Sequence, residues 1–263
     1  MKATNNDDEK GFYNRSLERA LQILDAFSLE RQALSKSELS KILGLSRATI
    51  LRLCSTLGKY GYLRQDQESN KYSLGMRLFE QGSVVFHSLS VRKAASLPLT
   101  QLHGRLGKTI FLCILDNDEL LYIDKREDSK SVITFTSKIG TRRVPHWGMC
   151  GPMLMSHLPD DEIERLLEKF PLRAQTRKSI IDKEEFKAWL RKVKDEGFAI
   201  DPEATLEGIT GVAAPIRDFT GKVVATIGAA IFSSSLTEDG LRRTINEVSE
   251  TALTVSMKLG YKR

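Results

Sequence analysis

The chain reads as an α+β protein in two parts. A small, mainly helical N-terminal part precedes a larger part in which an antiparallel sheet is flanked by helices. Three observations predict this. Apolar residues recur at three- and four-residue spacing through the first sixty residues, cut by Ser and Gly into three short helices. From residue 109 onward, hairpin-like strand pairs alternate with helical segments. The charge divides the same way: of a net +6 over 263 residues, +5 lies in residues 11–79 and +2 in residues 80–263.

Each element has a local reason. Leu17, Ala20, Leu21, Ile23, Leu24 and Phe27 make an amphipathic helix over 16–29. Ser35 with Glu38 forms a capping box that opens a second helix running to Leu43, and Gly44 ends it. Ser46 caps a third helix over 47–59, stopped by Gly61. Short strands over 62–65 and 71–74 flank a polar turn with Asp66 and Asn70. Helix, short helix, a turn of about three residues, basic helix and small hairpin make a winged helix-turn-helix.

Leu78, Phe79, Gly82, Val85, Phe86 and Leu89 then share one side of a helix over 75–90, whose stripe meets another helix, a second subunit or its own domain. A helix over 91–106 follows. Strands are expected over 109–115, 120–124 and 131–136, the first two joined by Asp116, Asn117, Asp118 and Glu119. Helices are expected over 151–157 and 160–169. Asp182 with Glu185 caps another, ended by Gly197. A hairpin over 212–218 and 222–231 precedes a last helix with Leu241, Ile245, Val248, Ala252, Val255 and Leu259 on one face.

Composition narrows the function. With 41% hydrophobic and 28% charged residues the chain can bury a core without staples. Cys54, Cys113 and Cys150 are scattered, with no CxxC and no zinc-ligand spacing, so free thiols in a reducing cytoplasm are expected, with no metal and no cofactor. The first residues lack the apolar core of a signal peptide, and no stretch is long and apolar enough for a membrane span. The basic balance sits where DNA contact is expected: residues 46–65 hold Arg47, Arg52, Lys59 and Arg64 and no acid. Ser46, Arg47, Ala48, Thr49 and Arg52 face the groove in this reading. Arg47 or Arg52 can pair bidentately with guanine, worth about 1–3 kcal/mol of discrimination, and Ala48 can touch a thymine methyl. Arg64 and Lys71 are phosphate candidates. Ile50, Leu53, Cys54 and Leu57 are core by spacing. The bland alternative is that these bases are a solvated helix face.

In order along the chain, SLERALQILDAF, LSKSELSKILGLSRATILRLCSTLGKYGYLRQ, KYSLGMRLFEQG, VPHWGMCGPMLMSHLPDDEIERLLE, DEGFAIDPEATLEGITGVAAPIRDFTGKVVATIGAA and SLTEDGLRRTINEVS resemble the IclR-type bacterial transcriptional regulators, from about residue 14 to the end. The resemblance implies a GAF-like effector domain behind the winged helix. It also implies homodimers or tetramers on palindromic double-stranded DNA operators, controlled by a small organic acid. The domains then read as a disordered tail 1–13, a winged helix-turn-helix 14–75, a linker helix 76–92 and an effector-binding and oligomerisation domain 93–263. Repressor is the commoner outcome in the family; activators and dual regulators occur.

The resemblance places the effector against His146, Trp147, Gly148, Met149, Cys150 and Gly151, with further contacts mapping to Asp201, Gly211, Gly228 and Ala230. Gly, Gly and Ala stand where relatives that bind small keto acids carry Cys and Ser. Ala204 replaces the family's acid, Arg217 replaces its usual aromatic or His, and Trp147, Gly148 and Met149 replace the commoner Ala, Thr and Ala. Trimmed side chains predict an enlarged, more apolar cavity and a bulkier ligand such as an aromatic acid. Its carboxylate would sit on backbone N–H groups where Gly151 and Pro152 open a helix, or on His146. Alternatively Trp147 fills the space the glycines leave, and Asp201, ahead of Pro202, is a turn residue. An enzyme using Cys150 and His146 is the remaining alternative; no third orienting group accompanies them.

Overall fold

The structure, a computed structural model, describes residues 14–28, 30–88, 90–127 and 137–262. The expected tail over 1–13 and the expected strand over 131–136 lie outside the described residues, as do the side chains of Val85, Phe86 and Leu89 in the expected stripe. The chain divides into two compact units between residues 88 and 89.

The first unit contains α1 (Arg15–Asp25), α2 (Lys36–Leu43), α3 (Arg47–Lys59), β1 (Leu63–Gln65), β2 (Tyr72–Leu74) and α4 (Met76–Ser88). Its helix ends are built from local side chains. Asn14 accepts the N–H groups of Ser16 and Leu17 at 3.0 and 3.1 Å. Ser35 and Glu38 close the capping box reciprocally, at 2.7 and 3.2 Å. Gly44 turns the chain in the left-handed region at φ +65°, which a Cβ would disfavour. The core gathers Ile23, Phe27, Leu34, Leu39, Ile50, Cys54, Leu63 and Tyr72, and burial pushes the Cys54 thiol up to about 11. β1 and β2 pair antiparallel from Leu63↔Leu74 to Gln65↔Tyr72, and Leu34 adds a bridge to Tyr72.

The expected face of α1 needs correction. Ala20, Ile23 and Phe27 turn inward, but Leu17 and Leu21 are 59% and 52% exposed, because one helix presents only one stripe to this small core. The helix also ends at Asp25, where Ser28 and Arg31 exchange backbone hydrogen bonds and turn the chain. In α4, Leu78 is half-buried and Phe79 is exposed.

The second unit is a six-stranded antiparallel sheet of order β5-β4-β3-β8-β7-β6. Its strands are β3 (Thr109–Asp116), β4 (Glu119–Arg126), β5 (Arg142–Arg143), β6 (Ala199–Pro202), β7 (Ile209–Arg217) and β8 (Val223–Phe232). Two-residue alternation sorts its faces. Ile110, Leu112, Val212, Ala214, Ile227 and Ala229 pack against α5 (Ser90–Leu106) and α9 (Glu238–Lys258). Phe111, Cys113, Ala213 and Ala230 face the other way, toward α6 (Cys150–Met155) and α8 (Lys183–Glu196). α7 (Asp160–Lys169) packs Ile163, Leu166 and Leu167 against Phe186 and Leu190 of α8. The expected stripe of α9 meets the core in full. β5 and β6 were not expected: two residues carry no periodicity, and Pro202 closes a four-residue edge strand.

Asp124 fastens α5 to the sheet. It is 1% exposed and accepts from Arg126 on its own strand, while Arg92 of α5 approaches its other oxygen at 3.4 Å. Removing one partner of a buried ion set leaves uncompensated charge. Asp124→Ala should therefore lower the unfolding free energy of the second unit by about 3 kcal/mol in urea titrations. A change below about 0.5 kcal/mol, the range of ordinary surface substitutions, would contradict this.

Candidate functional site

On the first unit, Ser46 caps α3: its Oγ accepts the Thr49 N–H at 3.2 Å, and the two hydroxyls are 2.9 Å apart. Arg47, Ala48 and Arg52 are exposed, and Thr49 is half-buried. Neither Arg47 nor Arg52 is ion-paired among the described residues. Ile50 and Cys54 on the opposite face are buried. Arg64 on β1 and Lys71 just before β2 are exposed too, each with an acid nearby: Asp66 beside Arg64, and Glu38 beside Lys71. α3 therefore presents unbalanced positive charge, and the hairpin presents charge already partly offset.

On the second unit, strand register collects the distant candidates. Asp201, Gly211 and Ala230 stand in one row across β6, β7 and β8, and Gly228 stands in the next, opposite Ala213 and Phe111. Met149 and Cys150 lie over the two glycines of these rows. A Cβ on Gly211 would fall 2.6 Å from Met149 Sδ, and one on Gly228 would fall 2.5 Å from Cys150 Sγ. The space left by the trimmed side chains is thus filled by Met149 and Cys150. The expected enlargement does not arise there, and the filler is not Trp147.

The open volume lies one step outward. A cavity of about 430 Å³ is walled by Trp147, Phe186, Trp189 and Phe198, with His146, Gly148 and Asp201 also on its lining. Its size falls within the roughly 300–1,000 Å³ of small-molecule sites. Four of the expected effector contacts therefore share a cavity: His146, Trp147, Gly148 and Asp201. Met149, Cys150, Gly151, Gly211, Gly228 and Ala230 are not on its lining. The segment over 175–179 is clamped to the turn after β6: Thr176 Oγ1 donates to the Glu203 carbonyl at 2.8 Å and Ser179 Oγ to the Ala204 carbonyl at 2.6 Å.

The polar groups of the site are partly committed. Asp201 Oδ1 accepts the N–H groups of Ala204 and Thr205 at 2.6 and 3.3 Å, an Asx-type turn, while burial raises its pKa. Thr205 Oγ1 in turn accepts the Gly148 N–H at 3.1 Å, joining the two loops. The Gly151 N–H donates to the Trp147 carbonyl at 3.1 Å, so the expected backbone anion site at the start of α6 is occupied by the chain itself. His146 Nε2 donates to the Phe170 carbonyl at 3.2 Å, and burial lowers its pKa, which favours the uncharged ring. The Cys150 thiol is buried next to Cys113. No hydrogen bond joins it to His146 among the described residues, which gives a nucleophile–base pair no support.

Sequence reasoning missed Phe186, Trp189 and Phe198 as walls, and Arg143 and Arg173 beside them. Phe186 and Trp189 carried a helix-core signal only; the two arginines carried none. Among the described residues no helix is long and apolar enough to cross a membrane.

Comparison with known proteins finds two family models. The IclR helix-turn-helix domain matches residues 16–67, and the bacterial transcriptional regulator IclR C-terminal domain matches residues 83–257. The HTH-type transcriptional regulator XynR of Escherichia coli is 34% identical over 247 residues, 94% of this chain and 98% of that protein. The crystal structure of the Thermotoga maritima IclR superposes with a TM-score of 0.77 at 28% identity, covering 94% of this chain and 99% of that one. An IclR homolog from Microbacterium hydrocarbonoxydans complexed with 4-hydroxybenzoate superposes at 0.83 with 23% identity, over 93% and 98%.

Two outcomes follow from the packing. Gly211→Ala should destabilise by about 1–3 kcal/mol through overpacking. Met149→Ala in the same chain should relieve most of that added cost, measured as a double-mutant cycle in urea; strictly additive effects would contradict the contact. His146 has a folded pKa below its unfolded value near 6.5, so its contribution is complete above that pH and is lost as pH falls toward the folded value. The stability advantage of the wild type over His146→Gln should shrink between pH 7.5 and pH 5 in chemical-denaturation curves, and an advantage that grows would contradict the assignment.

Proposed function

Because the chain belongs to the IclR family of bacterial transcriptional regulators, we propose that its first unit binds a specific duplex operator and that a small organic acid in the second unit controls that binding. The observation that carries the reading is the unbalanced face of α3. Arg47, Ala48 and Arg52 stand exposed beyond a Ser46 cap, with no carboxylate paired to either arginine among the described residues. This is the arrangement a recognition helix needs to reach base edges. The aromatic-walled cavity supports an effector role for the second unit. Aromatic acids are the first class to test, and 4-hydroxybenzoate, which a structural neighbour binds, is the first member.

In this reading the protein is a repressor. It works in the cytoplasm, as a homodimer or tetramer, on a palindromic operator. No chemical step is included: Cys150 is sealed in the core and His146 Nε2 is bonded to a backbone carbonyl. Effector and operator need only share a two-state equilibrium. A coupling of about 1–3 kcal/mol changes operator affinity by roughly 5–150-fold.

The test is a fluorescence-anisotropy titration of labelled DNA from upstream of the protein's own gene, against a scrambled duplex, at two salt concentrations. The operator should bind more tightly than the scramble and both should weaken with salt. Arg52→Ala should cost about 1–3 kcal/mol on the operator and less on the scramble. Equal affinity for both duplexes would overturn the reading.

A further inference from the structure

Beside the aromatic cavity lies a second, more open cleft of about 530 Å³. Trp147, His146, Arg173 and Gln175 line both, so one indole forms part of the partition between an apolar chamber and a basic one. The basic side chains of the outer cleft are Arg142, Arg143, Lys169 and Arg173. Two are engaged. Arg142 holds Asp116 at 2.5 Å and approaches Glu119, the one acid in the lining, at 3.7 Å; Lys169 holds Asp118 at 2.9 Å. The inner chamber's lysines are engaged as well, Lys178 with Glu203 at 3.2 Å and Lys192 with Glu196 at 3.7 Å.

Arg143 and Arg173 are different: neither has a carboxylate partner among the described residues. Arg143 is half-buried, and its guanidinium lies 5.2 Å from the centroid of the Trp147 ring. Its Nε is buried with no acceptor. A buried donor without an acceptor is costly, and it marks the Arg143 side chain, whose residue is only half-buried, as incompletely partnered in this arrangement. A guanidinium matches a carboxylate through paired N–H donors, and the indole beneath it restrains its plane. Arg173, on the lining common to both chambers, supplies the second positive charge.

We propose that Arg143 and Arg173 form the carboxylate anchor of the effector site, with the ligand's body directed past Trp147 into the aromatic chamber. The proposal rests on the reading that this cavity is the effector site. It moves the anion contact away from the start of α6 and from His146, where the sequence had placed it.

Isothermal titration of the full-length protein tests it, with 4-hydroxybenzoate and gluconate as two carboxylates of different body and 4-hydroxybenzamide as the uncharged analogue. At least one acid should bind the wild type, and Arg143→Gln and Arg173→Gln should each weaken it tenfold or more. Any binding of the amide should stay unchanged in both variants. If Arg143→Gln loses its thermal unfolding transition, Arg173→Gln carries the test alone, since Arg173 is exposed and can be replaced without disturbing the core. Acid affinity unchanged in the folded variants, or no binding of either acid to the wild type, overturns the anchor. An acid that binds through the arginines and leaves operator affinity unchanged spares the anchor and removes the regulatory reading. Arginine-independent binding that still alters operator affinity does the reverse.

Discussion

Met149 and Cys150 rest on the sheet where two glycines, Gly211 and Gly228, leave no side chain, and the geometry of the second unit depends on that approach. Gly211 and Gly228 leave no Cβ beneath them, and Gly151 brings the start of α6 against the Pro145 carbonyl, where a Cβ would collide with backbone. Interiors packed at crystal-like density do not absorb such collisions cheaply. The N–H groups of Gly151 and Met153 are taken by the carbonyls of Trp147 and Met149, four residues back, in ordinary helical bonds. Trp147 and Gly148 are left on the cavity side, where the Gly148 N–H donates to Thr205 in the turn after β6 and Asp201 holds that turn through the Ala204 and Thr205 N–H groups. The open volume therefore forms between this turn, α8 and the edge strand β6, walled by rings, with Gly211 and Gly228 of the inner strands covered.

The two units divide the chemistry in a way their charge explains. The first has a small core and an exposed basic helix. Its contact with a phosphate-rich partner would be strong, salt-sensitive and only partly sequence-specific, with specificity left to the few side chains at the start of α3. The second is nearly neutral overall and organised by pairing: Asp124 with two arginines, Asp118 with Arg165 and Lys169, Glu164 with Lys183 and Lys187. Against that background Arg143 stands out, half-buried with a buried Nε that lacks an acceptor, and the exposed Arg173 lines the same cleft. A half-buried guanidinium without a carboxylate partner, next to an aromatic chamber, is the arrangement on which the proposed carboxylate anchor rests.

Much of the first unit was legible in the sequence because its signals are local. The capping box at Ser35 and Glu38, the left-handed Gly44 and the Ser46 cap each act within four residues, and each is where the spacing placed it. Leu17 and Leu21 were misjudged because a periodic pattern does not say how much of a helix a small core can cover. In the second unit, turn chemistry marked the two hairpins, while β5 and β6 were too short to carry a pattern. The resemblance pointed to Asp201, Gly211 and Ala230, which register does bring into one row. It could not show that Met149 folds down over that row, since this depends on a contact between segments some sixty residues apart. Arg143 and Arg173 were invisible for the same reason: an arginine in a two-residue strand or a loop looks like any solvated base until its neighbours are known.

The central claim is that one equilibrium links the DNA-binding helix to the cavity, and thermodynamic linkage makes that claim reciprocal. The most direct measurement is the affinity of the bound acid, by calorimetry, with and without saturating operator duplex. The account predicts that operator changes acid affinity by the same factor by which the acid changes operator affinity, roughly 5–150-fold. Acid affinity identical in the presence and absence of operator, with both ligands bound, would contradict it.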